Sequence, residues 1–248
     1  MKVDVIFQGF PGRTERGYMG WSSVVFIETQ DAKILFDTGG TGERSVLLPR
    51  LAAHHIQPED IDYVVLSHFH YDHAMNFDLF PRARILLHEK EMEWVQSQPD
   101  DWACVGYLYP VLERTGRLSL LQGEPEIIPG VQAILTPGHT PGCQSLVLRD
   151  DGMPVTVLAG DAVKNLAELS TGAVNMSHDD AASNHSIQRI RTMADIVIPG
   201  HDRVLKIEKD RIIAVTSAHE TIAVPAGVCQ SEPRKLELVV EQTWLPKI

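Results

Sequence analysis

The chain has 248 residues, 44% of them hydrophobic and 22% charged, an ordinary globular composition with enough length to bury a substantial core. Its 22 Lys and Arg against 33 Asp and Glu leave a formal charge of −11, a surface that repels phosphate backbones and argues against a nucleic-acid partner. No apolar run is long enough to span a bilayer and no signal peptide is readable around Asp4, while Cys104, Cys143 and Cys229 are widely spaced and fit reduced cytoplasmic thiols.

Residues 3–7 and 22–28 read as strands, joined by a Gly-rich connection over 8–20. In and beside that connection Tyr18, Met19 and Trp21 offer apolar surface either to a pocket or to ordinary packing. A strand over 33–36 ends in the turn Asp37-Thr38-Gly39-Gly40. The spacing of Val46, Leu47, Leu51 and Ala52 predicts a helix over 42–56, broken by Pro58.

The apolar run 61–66 then reads as a buried strand, followed by Ser67-His68-Phe69-His70-Tyr71-Asp72-His73. An extended chain alternates faces, so His68 and His70 point into one space and can grip one ion. Asp72 and His73 suit a second ion beside it, where the chain turns into a short helix over 74–80. Imidazole with carboxylate favours a borderline divalent metal such as zinc, with iron or manganese as alternatives, over the oxygen-only sets of magnesium or calcium.

Further on, a strand over 84–88 leads to a helix over 89–96. The aromatic region containing Trp94, Trp102, Tyr107 and Tyr109 reads equally as a cover for the pocket, a partner surface or core packing. Strands are expected over 131–135, 145–148, 155–158 and 195–198, with a helix from a Ser183 cap to Met193 before the last of these. Residues 206–215 and 236–240 read as further strands.

The His-x-His-x-Asp-His run resembles the motif of the metallo-β-lactamase superfamily. Three later segments resemble that family's remaining motifs in order: Gly138-His139-Thr140-Pro141-Gly142, Gly160-Asp161 and Pro199-Gly200-His201. The resemblance runs from about Phe7 to Val204. It implies a single domain over 1–248 with an α/β fold, the four-layer αβ/βα sandwich, and a metal site on one rim of the two sheets. It assigns His68, His70 and His139 to one divalent ion, Asp72, His73 and His201 to a second, and Asp161 to a bridge between them. It also implies that Asp37 hydrogen-bonds a ligand histidine.

On the same resemblance the chain is a cytoplasmic hydrolase in which a hydroxide shared by two ions attacks a lactone or other ester carbonyl. It takes a small-molecule substrate and no nucleic-acid or membrane partner, with room for a homodimer. Asp161 separates it from β-lactamases of the family, which typically lack that bridge, and its pattern is most like the N-acyl homoserine lactonases. There Lys164 stands in place of a tyrosine. Grouped with Asp72 and Asp161 as catalytic, Lys164 implies a substrate with a negative group, because an ammonium beside a metal pair is disfavoured unless an anion joins it. The alternatives are a glyoxalase II-like thioesterase, weakened by Ala162-Val163-Lys164-Asn165-Leu166, and a mononuclear iron oxygenase resembling persulfide dioxygenases.

Overall fold

A computed structural model describes residues 1–228 and 234–248; Cys229 lies outside them. Two sheets dominate. The first runs Lys2–Phe7, Val24–Glu28, Lys33–Phe36, Tyr63–Val65, Arg84–His88 and Leu118–Leu121, antiparallel for the first two pairings and parallel thereafter. The second runs Thr243–Pro246, Arg211–Ala214, Leu205–Ile207, Ile196–Pro199, Thr156–Gly160, Gln144–Leu148, Val131–Leu135 and Glu126–Ile128, with its one parallel pairing between Thr156–Gly160 and Ile196–Pro199.

The alternation of side chains along each strand divides the apolar residues into three cores. Val25, Ile27, Ile34, Phe36 and Val65 face Val131, Ala133, Leu146, Leu148 and Leu158 between the sheets. Their neighbours Val24, Phe26, Leu35 and Val64 pack outward on Leu47 and Leu51 of helix α1 (Arg44–Ala53) and on Met92 and Val95 of α2 (Glu89–Gln96). Helix α3 (Tyr109–Arg114) closes that side with Leu112. On the far side, Val147, Val157, Ala159 and Val197 pack on Leu166 and Leu169 of α4 (Leu166–Thr171) and on Ile187 and Ile190 of α5 (Asp180–Met193). The result is the expected αβ/βα sandwich.

Local expectations were met unevenly. The helix over 74–80 shrinks to a 3-10 turn at Phe77–Leu79, because His73 and Ala74 both donate their N–H groups to the His70 carbonyl and tighten the chain there. Helix α5 starts a turn earlier than Ser183: Asp179 is the cap, accepting from Ala182 N at 2.9 Å, and Ser183 is buried inside the helix. The residues over 236–240 do form a strand, but Arg234–Val240 pairs with Ala218–Val224 in a separate two-stranded hairpin. Among the described residues no helix is long and apolar enough to cross a membrane.

Candidate metal centre

Each motif residue sits where a strand has just ended. His68, His70, Asp72 and His73 follow Tyr63–Val65; His139 follows Val131–Leu135; Asp161 follows Thr156–Gly160; His201 follows Ile196–Pro199. The segment after the central strand is held by its neighbour: Tyr71 N–H donates to Ala103 O at 2.9 Å and Val105 N–H to Phe69 O at 3.1 Å. His68 and His70 do face one space, with ring centroids 4.5 Å apart.

All seven side chains converge. Three sets have donor atoms within 4.8 Å of one another: His68, His70 and His139; Asp72, His73 and His201; and His68, His73 and Asp161. Between the first two sets stands Asp161, buried, with Oδ2 3.3 Å from His139 Nε2 and Oδ1 3.3 Å from both His73 Nε2 and His201 Nε2. Asp72 Oδ2 is 3.3 Å from His201 Nε2, and His139 Nε2 is 3.1 Å from His70 Nδ1. Gly200 makes this approach feasible, since a Cβ there would lie 2.0 Å from Asp161 Oδ1.

The outer nitrogens of His68, His73, His139 and His201 are engaged, which leaves their inner nitrogens to face the site. His73 Nδ1 donates to Asp37 Oδ2 at 2.8 Å, His139 Nδ1 to Met176 O at 3.0 Å and His201 Nδ1 to Trp21 O at 3.1 Å. Asp37 also accepts from Ser67 N and Ser67 Oγ, both at 2.7 Å; the hydroxyl, having donated to Asp37, accepts from His68 Nδ1 at 2.9 Å. His70 turns the other way, Nδ1 inward and Nε2 3.6 Å from Asp101 Oδ2. That imidazole pulls the Asp101 carboxyl down to about 2.

Electrostatics point the same way. Burial and the neighbouring imidazoles push His68 well below its ordinary range, so it stays neutral. Burial opposes charge on His73 as well, but Asp161, Asp72 and Asp37 outweigh it and hold that ring well above its ordinary range. Burial would raise Asp161, yet His201, His73 and His139 hold it well below. This is a space in which positive charge is favoured and in which the inward nitrogen of His68 is neutral and free. His68 Nε2, His73 Nε2 and Asp161 Oδ1 are also buried without a hydrogen-bond partner, a costly arrangement that divalent-ion coordination relieves. The donor set therefore fits divalent metal.

Several supporting groups carried no readable signal. Glu91, fully buried, accepts from Phe69 N, Thr140 Oγ1 and Gly142 N and so ties the two histidine-bearing turns together. In the sequence it reads only as an acid in the first turn of a helix. The carbonyls of Trp21 and Met176 are main-chain groups with no identity to read. Ser67 and Asp101 were adjacent to legible residues but not distinguishable from loop polarity.

A cavity of about 450 Å³ opens over the cluster. Tyr18 of the 8–20 connection, Phe10, Tyr71 and Trp102 give it apolar walls, while the Trp21 ring packs on Phe10 at 5.6 Å. Lys164 lines the cavity but is buried, its Nζ 3.0 Å from Glu168 Oε1. The anion that joins this ammonium is thus part of the chain.

The sequence profile described as the metallo-beta-lactamase superfamily matches residues 19–201. Metallo-beta-lactamase domain-containing protein 1 of Mus musculus is 31% identical over 215 residues, covering 84% of this chain and 75% of the relative. An N-acyl homoserine lactonase of Bacillus cereus is 27% identical over 203 residues, covering 71% and 79%. The crystal structure of a quorum-quenching N-acyl homoserine lactone lactonase superposes with a TM-score of 0.62 at 26% identity, covering 73% of this chain and 79% of that one. The chain belongs to the metallo-beta-lactamase superfamily, and that membership together with its lactonase relatives marks it as a hydrolase.

Proposed function

We propose that the chain is a dinuclear metal-dependent hydrolase acting on a lactone or other carboxylic ester, as one domain over 1–248. The observation that carries this reading is the position of Asp161, one carboxylate oxygen toward His139 and the other toward His73 and His201. That placement lets one carboxylate reach an ion in either set. His68, His70 and His139 would hold one ion, Asp72, His73 and His201 the other, and Asp161 both; the mixed nitrogen and oxygen set favours zinc. When bound, such a pair lowers the pKa of water to near 7 and polarises a carbonyl oxygen.

The chain's own residues do the rest. Asp37 and Ser67 fix the ring tautomers, and the walls formed by Phe10, Tyr18 and Trp102 give an acyl or ring portion an apolar seat. Asp72 and Asp161 are the carboxylates that would balance two bound dications, so a net positive charge would be left to assist a carbonyl oxygen that gains negative charge. Lys164 adds a donor at the same wall.

The test is a turnover screen of the zinc-loaded protein with an N-acyl homoserine lactone, 4-nitrophenyl acetate, S-lactoylglutathione and a β-lactam. Lactone or ester hydrolysis should exceed the other two activities. Thioester turnover above that of every ester, or oxygen uptake with a persulfide on the iron-loaded protein, would overturn the assignment.

A further inference from the structure

The first sheet ends on one side in an open edge. Its last strand, Leu118–Leu121, pairs in parallel with Arg84–His88 and, among the described residues, with no strand on its other side. Ile85 N–H donates to Arg117 O at 2.9 Å, and in a parallel ladder alternate residues bond the neighbouring strand. Leu118 and Leu120 therefore turn their N–H and C=O groups outward. Such an edge is a template for another extended chain.

Beside that edge lies a groove of about 440 Å³, away from the metal centre. Leu118 and Leu120, on one face of the strand, and Met92 of α2 give it an apolar floor, and Leu120 is 45% exposed. Glu89 and Glu93 of α2 and Glu113 of α3 stand around that floor, and the lining holds no lysine or arginine. Gln96 Nε2 donates to Tyr109 Oη at 2.9 Å, and Tyr109 Oη donates to Glu113 Oε1 at 2.8 Å, which ties the two helical walls together.

We infer that this edge and groove receive an extended basic segment of a partner protein, which adds a strand to Leu118–Leu121 and sends lysine or arginine side chains among Glu89, Glu93 and Glu113. Main-chain bonds to Leu118 and Leu120 supply the pairing, and the carboxylates select the sequence. Side chains of an extended chain alternate between faces, so a segment with a basic residue at every second position presents all of them to the groove. Charge also selects against a second copy of this chain, which carries a formal −11 and would bring like charge to an acidic rim.

The test uses the zinc-loaded protein and a fluorescein-labelled, terminally capped pentapeptide of alternating lysine and valine, followed by fluorescence anisotropy in low-salt buffer. The peptide should bind saturably, and about tenfold or more tightly than its counterpart with glutamate in place of lysine. Glu93→Lys, at an exposed position of α2, should weaken the lysine peptide about fivefold, as loss of an exposed ion pair does. An added strand meets the sheet through one edge only. Of two further peptides, N-methylated at the lysines or at the valines, one should therefore lose about tenfold in affinity while the other binds like the parent.

The inference is overturned if the glutamate peptide binds as well as the lysine peptide, if Glu93→Lys leaves the affinity unchanged, or if the two methylated peptides behave alike. Absence of saturable binding also overturns it, and leaves the carboxylates as guards of the edge against self-pairing. Sedimentation velocity of the protein alone completes the test: a dimer that Glu93→Lys dissociates would give the groove to a second copy and overturn the assignment to a basic partner.

Discussion

Asp161→Ala is expected to lower kcat/KM by more than the roughly 10–100-fold that loss of an outer partner costs a metal site, and to lower metal content from two ions per chain toward one. The reason is positional. Among the described residues Asp161 is the single group within 3.3 Å of histidine nitrogens from both sets, so its removal strips a donor from each. Fold stability in metal-free buffer should change far less, since the carboxylate sits in a loop after Thr156–Gly160 and supports no part of the three apolar cores. Elemental analysis, steady-state kinetics and a thermal melt of the metal-free protein separate these effects. Unchanged activity with two bound ions would show that the carboxylate bridges nothing.

Asp37→Ala should damage both stability and metal binding. Asp37 is 1% exposed and accepts three hydrogen bonds, from Ser67 N, Ser67 Oγ and His73 Nδ1. Alanine strands those donors in the interior at about 1–3 kcal/mol each. It must also occupy φ +59°, a region in which Asp and Asn are enriched. Metal affinity should fall about 10–100-fold, because His73 and, through Ser67, His68 lose the partners that fix their tautomers. Asp37→Asn tolerates that backbone but exchanges one acceptor for a donor, so it should retain more stability than alanine while still binding metal more weakly. A metal dissociation constant unaltered in both variants, whatever the melting temperature, would confine Asp37 to supporting its turn.

The sandwich and the convergence of its rim residues were legible because they depend on short local signals. His68, His70, Asp72 and His73 lie within one post-strand segment, and His139, Asp161 and His201 each lie beside glycines that announce a turn. Asp37 was legible for the same reason. Glu91 was not, because its three partners come from Phe69, Thr140 and Gly142, which only the fold brings together. The Lys164–Glu168 pair did carry a signal in its i,i+4 spacing. It was hidden because the residues after Asp161 read as a departure from a lactonase pattern and not as the entry to α4. The cap of α5 went to Asp179 over Ser183 because the Gly138 and His139 carbonyls accept the N–H groups of Asp179 and His178, starting the helix a turn sooner.

If this rim holds two ions, hydrolysis depends on both of them. The most direct measurement is the metal content of the protein purified under metal-replete conditions, followed through chelation and zinc reloading with ester or lactone turnover recorded at each stage. Two divalent ions per chain are expected, with loss of turnover as they are withdrawn and recovery on reloading. Fewer than about one ion per chain at the start, or turnover that survives their removal, would contradict it.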